Sequence, residues 1–126
     1  MNNNNIDNLV RELGQAINVP ISFAQGASIL TLSDGREVWL ECPHDSALFI
    51  VHTQLQQNHA PSLHELTEWL SLNASPEKSK GSYISFDQKT GSVSLCVSLP
   101  VELINAELLK ILIDNLAELA SQLGVS

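Results

Sequence analysis

Residues 29–54 read ILTLSDGREVWLECPHDSALFIVHTQ, and the fold turns on how this stretch is divided. Ile29 to Leu32, Glu37 to Cys42 and Ala47 to Gln54 are short apolar-rich runs. Between them lie Ser33-Asp34-Gly35-Arg36 and Pro43-His44-Asp45-Ser46, both made of turn formers. Runs of this length with such punctuation predict three consecutive antiparallel strands.

Outward from this block the period changes to that of helices. Ile6, Leu9, Val10, Leu13 and Ile17 share one face of a first helix over about 6–17, with Asp7, Asn8, Arg11, Glu12 and Gln15 on its polar side. Asn4 or Asn5 can cap its free N–H groups, and Pro20 blocks its continuation. On the other side of the block, Pro61 and Ser62 open a second helix that runs to about Leu72. Tyr83 to Phe86 and Val93 to Leu99 then form a second hairpin around Asp87-Gln88-Lys89-Thr90-Gly91. In its second strand Val93, Leu95 and Val97 alternate with Ser92, Ser94, Cys96 and Ser98. Pro100 ends that strand and Asn105 caps a last helix striped by Leu108, Leu109, Leu112, Ile113, Leu116, Leu119, Ala120 and Leu123. The expected class is therefore α+β: helix, three strands, helix, two strands, helix, with helices packed on a twisted antiparallel sheet.

A chain of 126 residues is expected to form one domain over 1–126. A chain of this length removes about 68% of its unfolded surface from water, enough to fold without covalent staples. The Asn run at 1–5 and the Ser-, Pro- and Lys-rich stretch 74–81 read as mobile, solvated segments. Cys42 and Cys96 lie inside strand-like runs, which favours buried thiols in a reducing compartment over a disulfide. Met1 and the asparagines after it lack the basic start and apolar run of a signal peptide, so a soluble, intracellular protein is expected.

Fourteen acidic against six basic residues give a net charge of −8, and Arg11, Arg36, Lys78, Lys80, Lys89 and Lys110 are scattered. A nucleic-acid partner requires a basic surface, and an anionic membrane would be repelled, so neither is expected. Surplus acid does suit a protein that leaves apolar surface open, because self-repulsion opposes aggregation.

Catalytic signatures are broken or missing. His64-Glu65-Leu66-Thr67-Glu68 begins like a zinc-protease helix but has Glu68 where the second histidine belongs, and His59 lacks the helical spacing to replace it. Cys42-Pro43-His44-Asp45 brings a thiol, an imidazole and a carboxylate together in sequence. Neighbouring residues at a strand end point in different directions, so a turn after a packed cysteine accounts for it. No metal site, cofactor site or catalytic constellation is expected.

Apolar residues, in contrast, exceed what one core requires. With Leu30, Leu32, Val38, Leu40, Leu48 and Ile50 assigned to the helix-covered side of the sheet, the opposite parity holds Ile29, Trp39, Phe49 and Val51. A face left to water should not be so apolar, which suggests a partner-binding surface, although a thick core or a strand bulge would hide the same side chains. In the second helix Leu63, Leu66 and Leu70 make one stripe, from which Trp69 and Leu72 project away.

The chain resembles the class I type III secretion chaperones of the Tir-chaperone (CesT-type) family. The likeness spans nearly the whole chain and rests on its acidity, its element order and several segments. These are Leu9-Val10-Arg11-Glu12-Leu13-Gly14, Leu66-Thr67-Glu68-Trp69-Leu70-Ser71-Leu72-Asn73-Ala74, and Gly91-Ser92-Val93-Ser94-Leu95 leading to Leu99-Pro100. The resemblance implies a cytoplasmic bacterial homodimer that holds the N-terminal segment of a secreted effector non-globular and export-competent, with the export ATPase as a further partner. It implies effector contacts on the first helix and sheet surface, which the apolar excess places at Val10 and Ile17 on the helix margin and at Ile29, Trp39, Phe49 and Val51 on the sheet. It also implies a dimer interface on the second helix, at Leu66, Trp69 and Leu72. The competing reading is a small acidic immunity or antitoxin-like protein that inhibits a basic toxin by charge complementarity. An enzyme built on Cys42 and His44 is a third.

Overall fold

The structure, a computed structural model, describes residues 3–17, 27–42, 47–55 and 61–123, with side chains in the first helix described at 8, 9 and 11–16. Helix α1 spans Asn3–Ile17, so helical backbone reaches into the Asn run. Strands β1 (Ala27–Thr31), β2 (Glu37–Glu41) and β3 (Leu48–Gln54) follow, then α2 (Leu63–Ser71), a 3₁₀ turn, a short α3 (Pro76–Ser79), β4 (Tyr83–Asp87), β5 (Ser92–Pro100), a second 3₁₀ turn and α4 (Ala106–Leu123). The five strands form one antiparallel sheet in the order β1-β2-β3-β5-β4.

Local chemistry sets these boundaries. The β1–β2 turn closes with Leu32 N–H donating to the Arg36 carbonyl at 2.8 Å and Arg36 N–H to Asp34 Oδ1 at 2.9 Å. Gly35 there has φ +89°, a conformation in which a side chain would be strained. Helix α2 starts on a capping box: Glu65 N–H donates to Ser62 Oγ at 3.1 Å, and Ser62 N–H donates to Glu65 Oε1 at 2.9 Å. Helix α4 is capped as expected, with Leu108 N–H donating to Asn105 Oδ1 at 2.7 Å.

The middle of the sheet joins distant parts of the chain. β3 and β5 pair over seven positions, from Leu48 opposite Pro100 to Gln54 opposite Ser94. Helices α1 and α4 pack on each other, and α4 also lies against β3 and β5. Leu9 and Leu13 of α1 and Leu109, Ile113, Leu116 and Ala120 of α4 enclose Leu30, Val38, Leu40, Phe49, Val51, Val93, Leu95 and Val97 in one core. The alternation expected of β5 is present, its three inward residues being those named in advance.

Residues 74–81 are largely exposed, as a solvated segment should be, yet part of the stretch is helical rather than loop. Pro76 occupies the first turn of α3, Lys80 takes a left-handed conformation at its end, and Ser79 is buried. Helix start and stop signals hide in a composition that otherwise looks like a linker.

Candidate partner-binding surface

The face of the sheet turned away from α1 and α4 is organised by cross-strand register. One row crosses all five strands: Ile29 opposite Trp39, Trp39 opposite His52, His52 opposite Cys96, and Cys96 opposite Tyr83. Side chains along a strand alternate faces, so Glu37, Glu41, Leu48, Ile50, Gln54, Ser94 and Ser98 belong to the same side. Ile29 is 46% exposed and Leu48 44%, while Trp39 and Ile50 are half-buried. The Trp39 and His52 rings stack with centroids 6.0 Å apart and planes 7° from parallel, and His52 Nε2 meets Glu41 Oε1 at 3.1 Å.

Along β5 this face carries Ser92, Ser94, Cys96 and Ser98, all small, between Leu48, Ile50 and His52 of β3 and Tyr83 of β4. Tyr83 Oη and Ser98 Oγ lie 2.7 Å apart, and Ser85 Oγ lies 3.1 Å from Cys96 Sγ. Burial pushes the Cys96 thiol pKa upward, the nearby Glu41 charge adds to that, and the Ser85 hydrogen bond partly offsets it. Cys42 is likewise raised by burial. Neither thiol is poised as a thiolate, so neither has the character of an activated nucleophile.

The structure corrects two assignments. Phe49 and Val51, expected on the outer face, are each 1% exposed and lie in the core, while Leu48 and Ile50 take the outer side. β3 is apolar at four successive positions, 48–51, so that run alone does not set its parity. The polar signal lies just downstream, where His52 and Gln54 share the outward parity and Thr53 turns inward to donate its hydroxyl to the Glu37 carbonyl at 2.8 Å. Of the expected sheet residues, Ile29 and Trp39 are on the outer face.

In α2 the two stripes exchange roles. Trp69 and Leu72, expected to project outward, are core residues, while Leu63 is 81% and Leu70 56% exposed. Leu66 is partly buried against the core. Glu65 shares the Trp69 stripe, yet its carboxylate turns back into the capping box and leaves that stripe free to pack. The 3₁₀ turn after α2 is tied to the β4 edge: Ile84 N–H donates to Asn73 Oδ1 at 2.6 Å, and Asn73 Nδ2 donates to the Ile84 carbonyl at 3.4 Å.

The side chains of Val10 and Ile17, and residues His44, Asp45 and His59, lie outside the described residues. His64 is a surface side chain paired with Glu68 at 3.1 Å. Among the described residues no group of three or more His, Cys, Asp or Glu side chains could hold a metal ion, and no helix is long and apolar enough to cross a membrane.

Residues 8–124 match the model of the Tir chaperone protein (CesT) family. The chain belongs to that family. The fold agrees: this chaperone superposes on a chain of the ExsC–ExsE complex with a TM-score of 0.78 at 18% identity, covering 93% of this chain and 89% of that one. It superposes on a chain of the HopA1–SchA chaperone–effector complex with a TM-score of 0.75 at 18% identity, covering 97% and 96%. A chain of the ExoU–SpcU complex from the type III secretion system of Pseudomonas aeruginosa gives 0.68 at 18% identity, covering 94% and 93%. No curated protein matches the chain in sequence. The resemblance read from the sequence is borne out, as are the α+β architecture and the type III secretion chaperone class.

Proposed function

We propose that this chaperone acts in the bacterial cytoplasm as a homodimer that binds the N-terminal segment of a secreted effector, keeps it non-globular and delivers it to the export apparatus. The observation that carries this reading is the outer sheet face, where Ile29, Trp39, Leu48 and Ile50 remain on the side away from the helices although the core is complete without them. An extended segment gains affinity by seating side chains on such a face, and the cost of ordering it keeps the complex reversible. Binding and holding require no bond to be made or broken, and no catalytic step is assigned. The dimer is assigned to the exposed stripe of α2, with Leu63 and Leu70 at its centre and Leu66 at its margin, in place of Trp69 and Leu72.

The test is calorimetric titration of the N-terminal segment of the secreted effector that co-purifies with the protein from its native host. Trp39→Ala is expected to weaken binding by about 1–3 kcal/mol with an unchanged melting temperature, as for an interface anchor. Unaltered affinity would remove the outer face from the site. Leu70→Glu is expected to give a folded monomer by light scattering, and a wild-type protein that is monomeric at micromolar concentrations would refute the dimer.

A further inference from the structure

Strands β2 and β3 separate at one end. Their pairing runs through Glu41–Ile50, Leu40–Val51 and Trp39–His52 and stops, although the same register would next place Val38 opposite Thr53 and then Glu37 opposite Gln54. Side chains bridge the gap instead: Thr53 Oγ1 donates to the Glu37 carbonyl at 2.8 Å and Arg36 Nη1 to the Gln54 carbonyl at 3.2 Å. The splay leaves an open cleft of about 310 Å³ lined by Thr31, Gly35, Glu37, Trp39, Thr53 and Gln54. That volume is at the small end of ligand sites, which run from about 300 to 1,000 Å³.

We propose that this cleft seats one arginine side chain of the client segment. The inference rests on the chaperone reading above and names the chemistry of its partner. Trp39 supplies an aromatic wall, against which a guanidinium stacks better than an ammonium. Glu37 supplies a carboxylate for which no partner is present among the described residues. The other carboxylate beside Trp39, that of Glu41, is already engaged by His52. Thr31 and Gln54 add acceptors for the remaining N–H groups. Arg36, which borders the cleft, directs Nη1 at the Gln54 carbonyl, and Asp34 lies within the same turn. The net charge of −8 favours the approach of a basic segment.

The cleft can be read without a client. The chain has two tryptophans, Trp39 lining the cleft and Trp69 in the core, so the two indole N–H resonances form a probe and an internal reference. Titration of the intact protein with N-acetyl-arginine-methylamide is expected to shift the Trp39 resonance saturably at millimolar concentrations and leave that of Trp69 in place. Glu37→Gln should weaken the probe by roughly two- to fivefold, as for a partly exposed ion pair. Added salt should do the same, and the neutral citrulline analogue should bind less well than arginine. No saturable shift, an equal response to citrulline, or equal binding by Glu37→Gln would overturn the assignment. A stronger response to acetate than to the arginine probe would show that Arg36 dominates and would also overturn it. Because small probes report on the cleft alone, their failure alongside intact client binding would refute this inference and leave the chaperone reading standing.

Discussion

Replacing Phe49 by alanine tests the register of the central sheet. The ring is 1% exposed, in a core shared with α1 and α4, so truncation removes its whole buried surface and leaves a void. Phenylalanine-to-alanine changes at such sites cost about 3–5 kcal/mol. Domains of this kind hold about 5–15 kcal/mol in all, so the variant loses a large part of its stability. At about 2–8 °C per kcal/mol, the melting temperature falls by at least about 6 °C. The neighbouring Leu48→Ala supplies the control: Leu48 is 44% exposed on the opposite face, and its loss is expected to cost about 0.5 kcal/mol or less. Both variants are compared with wild type by urea unfolding followed by far-ultraviolet circular dichroism at one fixed protein concentration, since dimerisation makes the midpoint concentration-dependent. A Phe49→Ala midpoint close to wild type, or a Leu48→Ala loss of equal size, would reverse the parity of β3 and refute the assignment of its two faces.

Further expectations follow from the tie between Asn73 and β4 and from the thiols. Asn73→Ala removes both hydrogen bonds to the Ile84 backbone and should cost about 1–3 kcal/mol, with faster amide exchange at Ile84 and slower-exchanging core amides less affected. For Cys96, burial raises the folded-state pKa above the ordinary 9.0, so the unfolded chain releases its proton first as pH rises. The contribution is therefore complete below about pH 9 and is lost as pH climbs through the folded value, a decline that Cys96→Ser should reduce. A decline equally steep in Cys96→Ser would assign it to other groups.

How much was legible in the sequence differed from element to element. Strand β5 alternates strictly between apolar and small polar residues, so its faces could be assigned without coordinates. Strand β3 could not be oriented from its first four residues, because a run of consecutive apolar side chains satisfies either parity; His52 and Gln54 held the answer. In α2 the number of leucines pointed to the wrong side. Three leucines on one stripe outnumber Trp69 and Leu72, yet the larger indole fills the core and leaves Leu63 and Leu70 outside. The cleft beside Trp39 carries no pattern at all, since it arises where two strands cease to pair.

The packing of α1 against α4 has a consequence for how the molecule is made. The first and last helices share one core, and the central pair β3–β5 joins segments separated by both α2 and β4. A ribosome delivering this chain releases β1 to β3 well before β5 exists, leaving Phe49 and Val51 without the strand and helix that cover them. Long-range pairings of this kind close slowly, because loop entropy is lost before contacts compensate. Folding must therefore wait until Leu109, Ile113, Leu116 and Ala120 have been synthesised, and a chain stalled before them presents its apolar sheet to the surrounding cytosol. A member of a chaperone family thus spends its own synthesis as an unfinished chain.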